Sequence, residues 1–205
     1  QNPYTSPKAL YGPKFVDLQD AREFWSTGNL ESRLNGLDIL HSNNFWCPRP
    51  LEQTRLVYTF YDMAFLEEPS WSTEANREGC FGGIFRAAVA ADWIVAISEA
   101  SKRHFTEVFP HFPQDHIRVI YPCSRFADAA LKGSRPRVLD GVSEAGFWLS
   151  VGTIEPRKNQ LGLARAYANY LKLTDQPLPL VFAGGKGWLM DDFQSEIRAL
   201  GIWEH

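Results

Sequence analysis

The stretch WLSVGTIEPRKNQLGLARAYANYL, residues 148 to 171, decides the fold of this 205-residue chain. A short apolar strand leads into Gly152 and a polar turn, and an apolar helical pattern follows the turn. The same order returns at LVFAGG, residues 180 to 185, which precedes a turn and the helical pattern of residues 190 to 201. Strands that alternate with helices predict an α/β fold with a parallel sheet.

The same alternation runs through the earlier part of the chain. Short runs rich in β-branched and aromatic residues predict four strands, and longer amphipathic patterns predict helices between them. Ser98 is expected to cap the second of these helices, because a small polar side chain there can accept from the first helical turn. The predicted strands are residues 37–40, 55–65, 92–98 and 116–122, and the predicted helices are residues 64–92 and 98–109.

Residues 124 to 146 interrupt this rhythm with glycine, proline and charge, which predicts an interdomain linker. It would join a partial N-terminal lobe, residues 1–123, to a partial C-terminal lobe, residues 147–205. The second lobe supplies strand, helix, strand and helix, whereas a doubly wound domain usually has about five or six strands. We therefore expect both lobes to be incomplete in this chain, and the chain alone to have little or no activity.

Composition narrows the class of protein. The net charge of −3 argues against a nucleic-acid partner, because binding to nucleic acid relies on clustered lysine and arginine. Cys47, Cys80 and Cys123 form no CxxC pair, which predicts a reducing compartment and no zinc site. No run reaches the length of about 20 apolar residues that spans a bilayer. We expect a cytoplasmic protein, either in solution or peripheral at the inner face of the membrane.

The turn after the strand of residues 148–151 carries the residues best suited to bind a diphosphate. Gly152 lets a ligand approach the backbone, Thr153 offers a hydroxyl, and the adjacent cations Arg157 and Lys158 suit phosphate oxygens. The helix that follows adds partial positive charge at its N-terminus. The alternative is that Arg157 and Lys158 are a solvated pair of turn charges, and the sequence alone leaves both interpretations open.

A second glycine-rich turn follows the strand at residues 180–183. Gly184, Gly185 and Lys186 either line the same ligand site or serve a tight chain reversal. No cluster of His and Cys with metal-ligand spacing and no DxD-like pair is found, so we expect neither a metal nor another cofactor.

Two further candidates follow strands of the first lobe. His41 comes directly after the run at residues 37–40, and Tyr61 and Asp62 end the strand LVYTFY. Ligands of open α/β sheets bind beyond the carboxyl ends of the strands, so all three side chains could face a substrate. Alternatively, His41 is a hydrogen-bonded loop residue and Asp62 is a carboxylate that caps a turn.

The stretch WLSVGTIEPRKNQLGLARAYANYL, followed by LVFAGGKGW, resembles the donor lobe of retaining GT-B glycosyltransferases of family four. The earlier segments are similar to the acceptor lobe of the same family, and the resemblance extends over about residues 37 to 200. It implies a GT-B fold with two Rossmann-like lobes. The segments that carry it in the first lobe are DILHSNNFWCP, LVYTFYDMAFLEEP, VAISEASKRHFTEVFP and DHIRVIYPCSRF.

The resemblance also implies roles for individual residues of the donor lobe. Arg157 and Lys158 would bind the donor diphosphate and stabilise the departing nucleotide, with Gly152 and Thr153 lining the same cleft. The turn from Gly184 to Lys186 would lie near the donor nucleotide. A pair of glutamates that grips the ribose and the sugar in this family is expected beyond residue 205.

In the acceptor lobe, the family often has a histidine at the position of His41, and it commonly has His-Asp where this chain has Tyr61-Asp62. Tyr61 is thus a departure from the family pattern. A phenol can hydrogen-bond a sugar hydroxyl but does not reproduce the proton transfer of an imidazole. This difference bears on the donor sugar, the acceptor geometry and the extent of activity.

The resemblance predicts a retaining hexosyltransferase that uses a nucleotide diphosphate sugar, with GDP-mannose favoured. Its acceptor would be a glycan or a lipid-linked glycan in the synthesis of exopolysaccharide or lipopolysaccharide. One alternative is a non-catalytic nucleotide- or glycan-binding relative, which Tyr61 would suit. Another is a different two-lobed enzyme, such as an epimerase or a phosphorylase, because fold does not determine function.

Overall fold

The computed structural model describes residues 17–34, 36–124, 140 and 146–203. The chain divides into two compact units. The first contains the described residues of Gln1–Asp62 together with Cys80–Tyr121, and the second contains Met63–Gly79 with the described residues of Pro122–His205. Residues 63–79 thus join the second unit, although they precede the predicted linker in sequence.

A four-stranded parallel sheet forms the centre of the first unit. Its strands are β1 (Ile39–Asn43), β2 (Arg55–Phe60), β3 (Trp93–Ala96) and β4 (Ile117–Val119), in the order β1-β2-β3-β4. The α-helices that lie wholly in this unit, among the described residues, are α1 (Leu18–Ser26), α2 (Leu30–Arg33) and α5 (Glu99–Val108). All four predicted strands are found, but β1 starts two residues later than the predicted start at residue 37, and β2 ends at Phe60, five residues before the predicted end at residue 65.

The core of the first unit lies on one face of β2. Leu56, Tyr58 and Phe60 are buried in alternation along this strand, as expected for a strand with one closed face. The phenol of Tyr58 donates a hydrogen bond to the backbone carbonyl of Asn44, and burial raises the pKa of this phenol. The second side of the core includes Phe105 of α5, whose ring lies 5.2 Å from that of Phe60.

The prediction of one continuous helix over residues 64–92 is wrong. The structure has a short helix α3 (Ala64–Glu67), a 3-10 turn (Pro69–Trp71) and then the long helix α4 (Glu74–Ala90). Pro69 explains the break, because proline supplies no amide hydrogen and disfavours helical backbone at the preceding residue. Glu68 accordingly has φ −138° and ψ 88°, outside the helical region.

Helix α5 begins as predicted. The backbone amide of Ser101 donates to Oγ of Ser98 at 3.0 Å, which satisfies one of the free amides in the first turn.

A two-stranded parallel sheet, β5 (Trp148–Val151) and β6 (Leu180–Ala183), organises the second unit. Helix α6 (Gln160–Tyr170) connects the strands, and α7 (Phe193–Ala199) follows β6. Ala164, Tyr167, Ile197 and Ile202 form the buried cluster between the helices. The α/β fold with parallel sheets is therefore confirmed, while the last helix is shorter than the predicted residues 190–201.

Most of the predicted linker, residues 124–146, lies outside the described residues. Only Ser124, Asp140 and Gly146 of that segment are described. The domain boundaries at residues 123 and 147 therefore remain a prediction.

A close backbone contact fixes α4 against the loop that follows β1. A Cβ atom on Gly83 would lie 2.2 Å from the carbonyl oxygen of Asn44 and 2.9 Å from Cα of Phe45. No side chain fits at that distance, so the contact requires glycine. The neighbouring Gly82 faces open space, because the nearest atom to its Cβ position is a terminal nitrogen of Arg86 at 3.7 Å.

These two glycines provide a matched test of the contact. Gly83→Ala should lower the free energy of unfolding by about 1–3 kcal/mol, because the added methyl group pushes the helix away from the loop. Gly82→Ala should raise it by up to about 1 kcal/mol through helix propensity alone. Denaturant unfolding at 25 °C measures both changes. Equal stabilisation by the two substitutions would show that the close contact does not exist.

Candidate functional site

The backbone leaves β5 through Gly152, which has a φ of +149°. Residues with a Cβ atom rarely adopt this backbone conformation, so glycine is needed at this position. Carbon atoms of the Lys158 side chain lie 3.8 to 4.0 Å from the position that a Cβ of Gly152 would occupy. The methylene stem of Lys158 thus packs over the bare backbone at the end of the strand.

The second glycine-rich turn runs directly alongside the first. A Cβ atom on Gly184 would lie 1.9 Å from the carbonyl oxygen of Gly152, and one on Gly187 would lie 2.3 Å from that of Ile154. The amide of Ile154 donates to the carbonyl of Gly185 at 3.0 Å. The sequence left a shared site and a simple chain reversal open for this turn. The structure shows that Gly184 and Gly187 permit a close approach of the two turns.

The turn between β5 and α6 is held from inside by the buried side chain of Gln160. Its Nε2 donates to the carbonyl of Thr153 at 2.8 Å, and its Oε1 accepts from the amide of Glu155 at 3.4 Å. Pro156–Lys158 forms a 3-10 turn, and Asn159 takes a left-handed conformation, φ 51°, before α6 begins. The first part of the turn is therefore fixed to the first residue of the helix.

Arg157 and Lys158 occupy different environments within this turn. Nη2 of Arg157 lies 2.5 Å from Oε1 of Glu155, whose side chain is only 2% exposed, while the Arg157 side chain is 41% exposed. Lys158 is exposed and forms no ion pair within the described parts of the chain. Glu155 offsets one of the two positive charges and orients the guanidinium of Arg157, whereas the ammonium group of Lys158 has no carboxylate partner among the described residues.

Lys186 carries an ion pair of its own. Its Nζ lies 2.8 Å from Oδ1 of Asp191, and the hydrogen bond to this carboxylate raises the pKa of Lys186. Both side chains are exposed, 77% and 82%, so water screens the pair and it opens at little cost. Lys186 can therefore exchange Asp191 for an anionic ligand.

An apolar pocket of about 530 Å³ lies beside the two turns in the second unit. Ile154, Gly184 and Lys186 belong to its wall, and Phe182 and Phe193 supply aromatic surface. Of the predicted donor-binding residues, Gly184 and Lys186 of the second turn line this pocket, whereas the first turn contributes only Ile154 to its wall.

The 3-10 turn Pro69–Trp71 packs against the 3-10 turn Pro156–Lys158 within the second unit. The indole nitrogen of Trp188 donates to the carbonyl oxygen of Trp71 at 2.9 Å. Sequence reasoning did not identify Trp71, Trp188, Glu155 or Gln160 as parts of this site. Their contacts form only in the folded turn, so the sequence does not reveal them. The one signal that it offers is that Glu155 and Gln160 flank the two cations.

In the first unit, His41 lies within β1 rather than after it, because the strand continues to Asn43. Its Nε2 is 2.7 Å from Oγ1 of Thr59 on the neighbouring strand. Burial lowers the pKa of His41 below its ordinary value of 6.5, so the neutral imidazole predominates at pH 7. A neutral ring can act either as a base or as a hydrogen-bonding group.

Tyr61 and Asp62 directly follow β2 and are both exposed. Oγ of Ser101 donates to the carbonyl of Tyr61 at 2.5 Å, which ties this position to the start of α5. The charge of Asp62 adds to burial in raising the pKa of the Cys80 thiol, so the carboxylate lies near that residue. The structure thus places His41 in β1 and Tyr61 and Asp62 at the carboxyl end of the adjacent β2.

Among the described residues, no group of three or more His, Cys, Asp and Glu side chains is arranged to hold a metal ion. Within the same residues, no helix combines the length and the apolar character that crossing a bilayer requires.

Comparison with known proteins finds similarity to a glycosyltransferase. O-antigen chain mannosyltransferase B of Escherichia coli is 29% identical over 153 residues, which are 73% of this chain and 39% of that protein. The crystal structure of Anabaena Alr3699/HepE in complex with UDP matches 74% of this chain and 40% of its own, at 19% identity and a TM-score of 0.45. No protein-family profile matches. The chain spans about two fifths of the length of these relatives.

The ion pair inside the turn can be tested by substitution. Arg157→Ala should lower the free energy of unfolding by about 2 kcal/mol, because it leaves the buried carboxylate of Glu155 without its partner. Adding Glu155→Gln should recover most of that loss. Lys158→Ala serves as the matched control and should change stability by less than about 0.5 kcal/mol.

Denaturant unfolding of the four proteins measures these differences. Equal and small effects of Arg157→Ala and Lys158→Ala would contradict the structural role of the Arg157–Glu155 pair.

Proposed function

We propose that the protein carrying this chain is a retaining glycosyltransferase. It transfers a hexosyl group from a nucleotide diphosphate sugar to a glycan or a lipid-linked glycan. The observation that carries the proposal is the turn after β5, where fixed backbone presents Arg157 and Lys158 next to bare glycine backbone. The similarity to a mannosyltransferase supports the same class of reaction.

The chemistry follows from the charge that develops at the leaving group. Cleavage of the glycosyl–phosphate bond releases a nucleoside diphosphate, and negative charge grows on its oxygens in the transition state. Cations that are already in place bind this charge more strongly than they bind the ground state, and this difference accelerates the reaction. Arg157 is oriented by Glu155 before substrate arrives, so it loses little conformational entropy on binding.

Lys158 and Lys186 would complete the set of cations around the diphosphate. Lys158 is a point charge on a flexible stem, which suits a leaving group whose oxygens move as the bond breaks. Lys186 would exchange its exposed contact with Asp191 for a phosphate oxygen. Gly152, Thr153, Gly184 and Gly185 would line the donor cleft. With these cations in place, the mechanism that we propose uses no metal.

The choice of donor sugar is supported by the comparison alone. The relative with 29% identity is a mannosyltransferase of O-antigen synthesis, so we propose a mannosyl group and GDP-mannose as the donor. The reaction would belong to polysaccharide or lipopolysaccharide synthesis. It would take place in the cytoplasm, where activated sugars are available, either in solution or at the inner face of the membrane.

His41, Tyr61 and Asp62 would contact the sugars at the acceptor side. The imidazole of His41 is neutral and held by Thr59, which suits a positioned hydrogen bond to a reacting hydroxyl. Tyr61 is 39% exposed at the end of β2 and would hydrogen-bond a sugar hydroxyl. Since a phenol replaces the usual imidazole there, we assign Tyr61 a binding role and no proton transfer.

The test is a transfer assay with the full-length protein, labelled GDP-mannose and a panel of glycan acceptors. Product formation with an axial mannosidic linkage, read by NMR, is expected for retention. Lys158→Ala should lower kcat/KM by about 100-fold or more, because it removes charge stabilisation from the transition state. Lys172→Ala, which removes an exposed lysine of the same unit outside the turn, should leave kcat/KM unchanged.

Either of two results would contradict the proposal. One is an inverted linkage in the product, which would exclude retention. The other is equal turnover by wild type and Lys158→Ala, which would remove the turn from the reaction.

A further inference from the structure

A second pocket, of about 410 Å³, lies in the first unit, and none of His41, Tyr61 and Asp62 lines it. Three arginines, Arg22, Arg49 and Arg86, line it together with the indole rings of Trp25 and Trp46. None of its eight described lining residues is acidic. The pocket thus concentrates three cations and two large aromatic rings, although the net charge of the chain is −3.

Three structural elements build this pocket. Helix α1 contributes Arg22 and Trp25, which are three residues apart and therefore share one helix face. The loop after β1 contributes Trp46 and Arg49, and α4 contributes Arg86. The loop and α4 are locked together at Gly83, three residues before Arg86, so these two walls keep a fixed distance.

The arginines have spare capacity for a ligand. Arg86 uses Nε and Nη2 to hold the carbonyls of Cys47 and Phe45, both at 3.2 Å, which fixes its guanidinium plane. Arg22 and Arg49 are exposed and have no ion pair or hydrogen bond to any part of the chain that the structure describes. Burial raises the pKa of the Cys47 thiol to about 12, so this pocket residue adds no negative charge.

The position of the pocket relates it to the acceptor. The loop of Trp46 and Arg49 follows the carboxyl end of β1, the strand that contains His41. Ligands of parallel sheets bind at this edge. The three guanidinium groups match phosphate oxygens, while the faces of Trp25 and Trp46 suit stacking against a sugar ring or packing against an apolar chain.

We propose that this pocket binds the phosphate or diphosphate group of a phosphorylated acceptor, with Arg22, Arg49 and Arg86 as the anion-binding residues and Trp25 and Trp46 as the stacking surface. The inference rests on the proposed transferase function and extends it to the chemical class of the acceptor. The anionic group comes either from a lipid-linked glycan or from a soluble sugar phosphate, and the two sources differ in whether an apolar chain follows the phosphate.

The experiment uses the full-length protein labelled with 5-fluorotryptophan, so that fluorine NMR reports on each site separately. Signals of Trp25 and Trp46 report on the arginine pocket, and that of Trp188 reports on the turn that carries Arg157 and Lys158. Each signal is assigned through a Trp→Phe variant. The probes are inorganic pyrophosphate, farnesyl diphosphate and the neutral sugar methyl mannobioside.

We expect both diphosphates to shift the Trp25 and Trp46 signals in a saturable manner. The double variant Arg22→Gln, Arg49→Gln should raise the apparent Kd about tenfold or more, as expected for the loss of charge-assisted hydrogen bonds. Arg103→Gln, which changes an exposed arginine on α5, is the matched control and should leave the Kd unchanged. Tighter binding of farnesyl diphosphate supports a lipid-linked acceptor, and equal binding of the two probes supports a soluble phosphorylated acceptor.

Three outcomes overturn the inference. The first is that neither diphosphate, at concentrations up to about 10 mM, shifts the Trp25 and Trp46 signals. The double variant could bind as well as Arg103→Gln. The neutral sugar could be the only probe that shifts the signals. A separate titration with GDP that fails to move the Trp188 signal would count against the proposed donor site and not against this pocket.

Discussion

The close approach of the two glycine turns is the constraint on which the second unit depends. Gly184 lies so near the carbonyl of Gly152 that any side chain would collide with it. This contact keeps the ends of β5 and β6 together, and beyond it the backbone of Ile154 in the first turn pairs with that of Lys186 in the second. Gln160 then fixes the first turn from inside, through the carbonyl of Thr153 and the amide of Glu155. The result is a rigid backbone beneath the exposed side chains that the proposed reaction requires.

Within that frame, Arg157 and Lys158 have separate tasks. The buried carboxylate of Glu155 orients Arg157, which makes the guanidinium a preorganised binding group. Lys158 packs its stem over Gly152 and keeps its charge in solvent. In the proposed reaction, Arg157 would fix the position of the diphosphate and Lys158 would follow the charge as it develops. The same division appears in the first unit, where Arg86 is held by loop carbonyls and Arg22 and Arg49 are exposed.

The sequence predicted the strands of both sheets and the position of the cationic turn, because short apolar runs and glycine-rich turns are local signals. It did not predict the Arg157–Glu155 pair or the contacts of Gln160, since these depend on how the turn folds back on the helix. The helix of residues 64–92 was predicted without its break, although Pro69 is a local signal that interrupts a helix. The placement of His41 inside β1 was missed because polar residues follow it, which resembles the end of a strand.

The measurement that tests the central claim most directly is a crystal structure of the full-length protein with GDP bound. The account predicts diphosphate oxygens at about 3 Å from the guanidinium of Arg157 and the ammonium of Lys158, beside the backbone of Gly152. Arg157 should keep its contact with Glu155 in that complex. A diphosphate bound elsewhere on the protein, with both cations still facing solvent, would contradict the account.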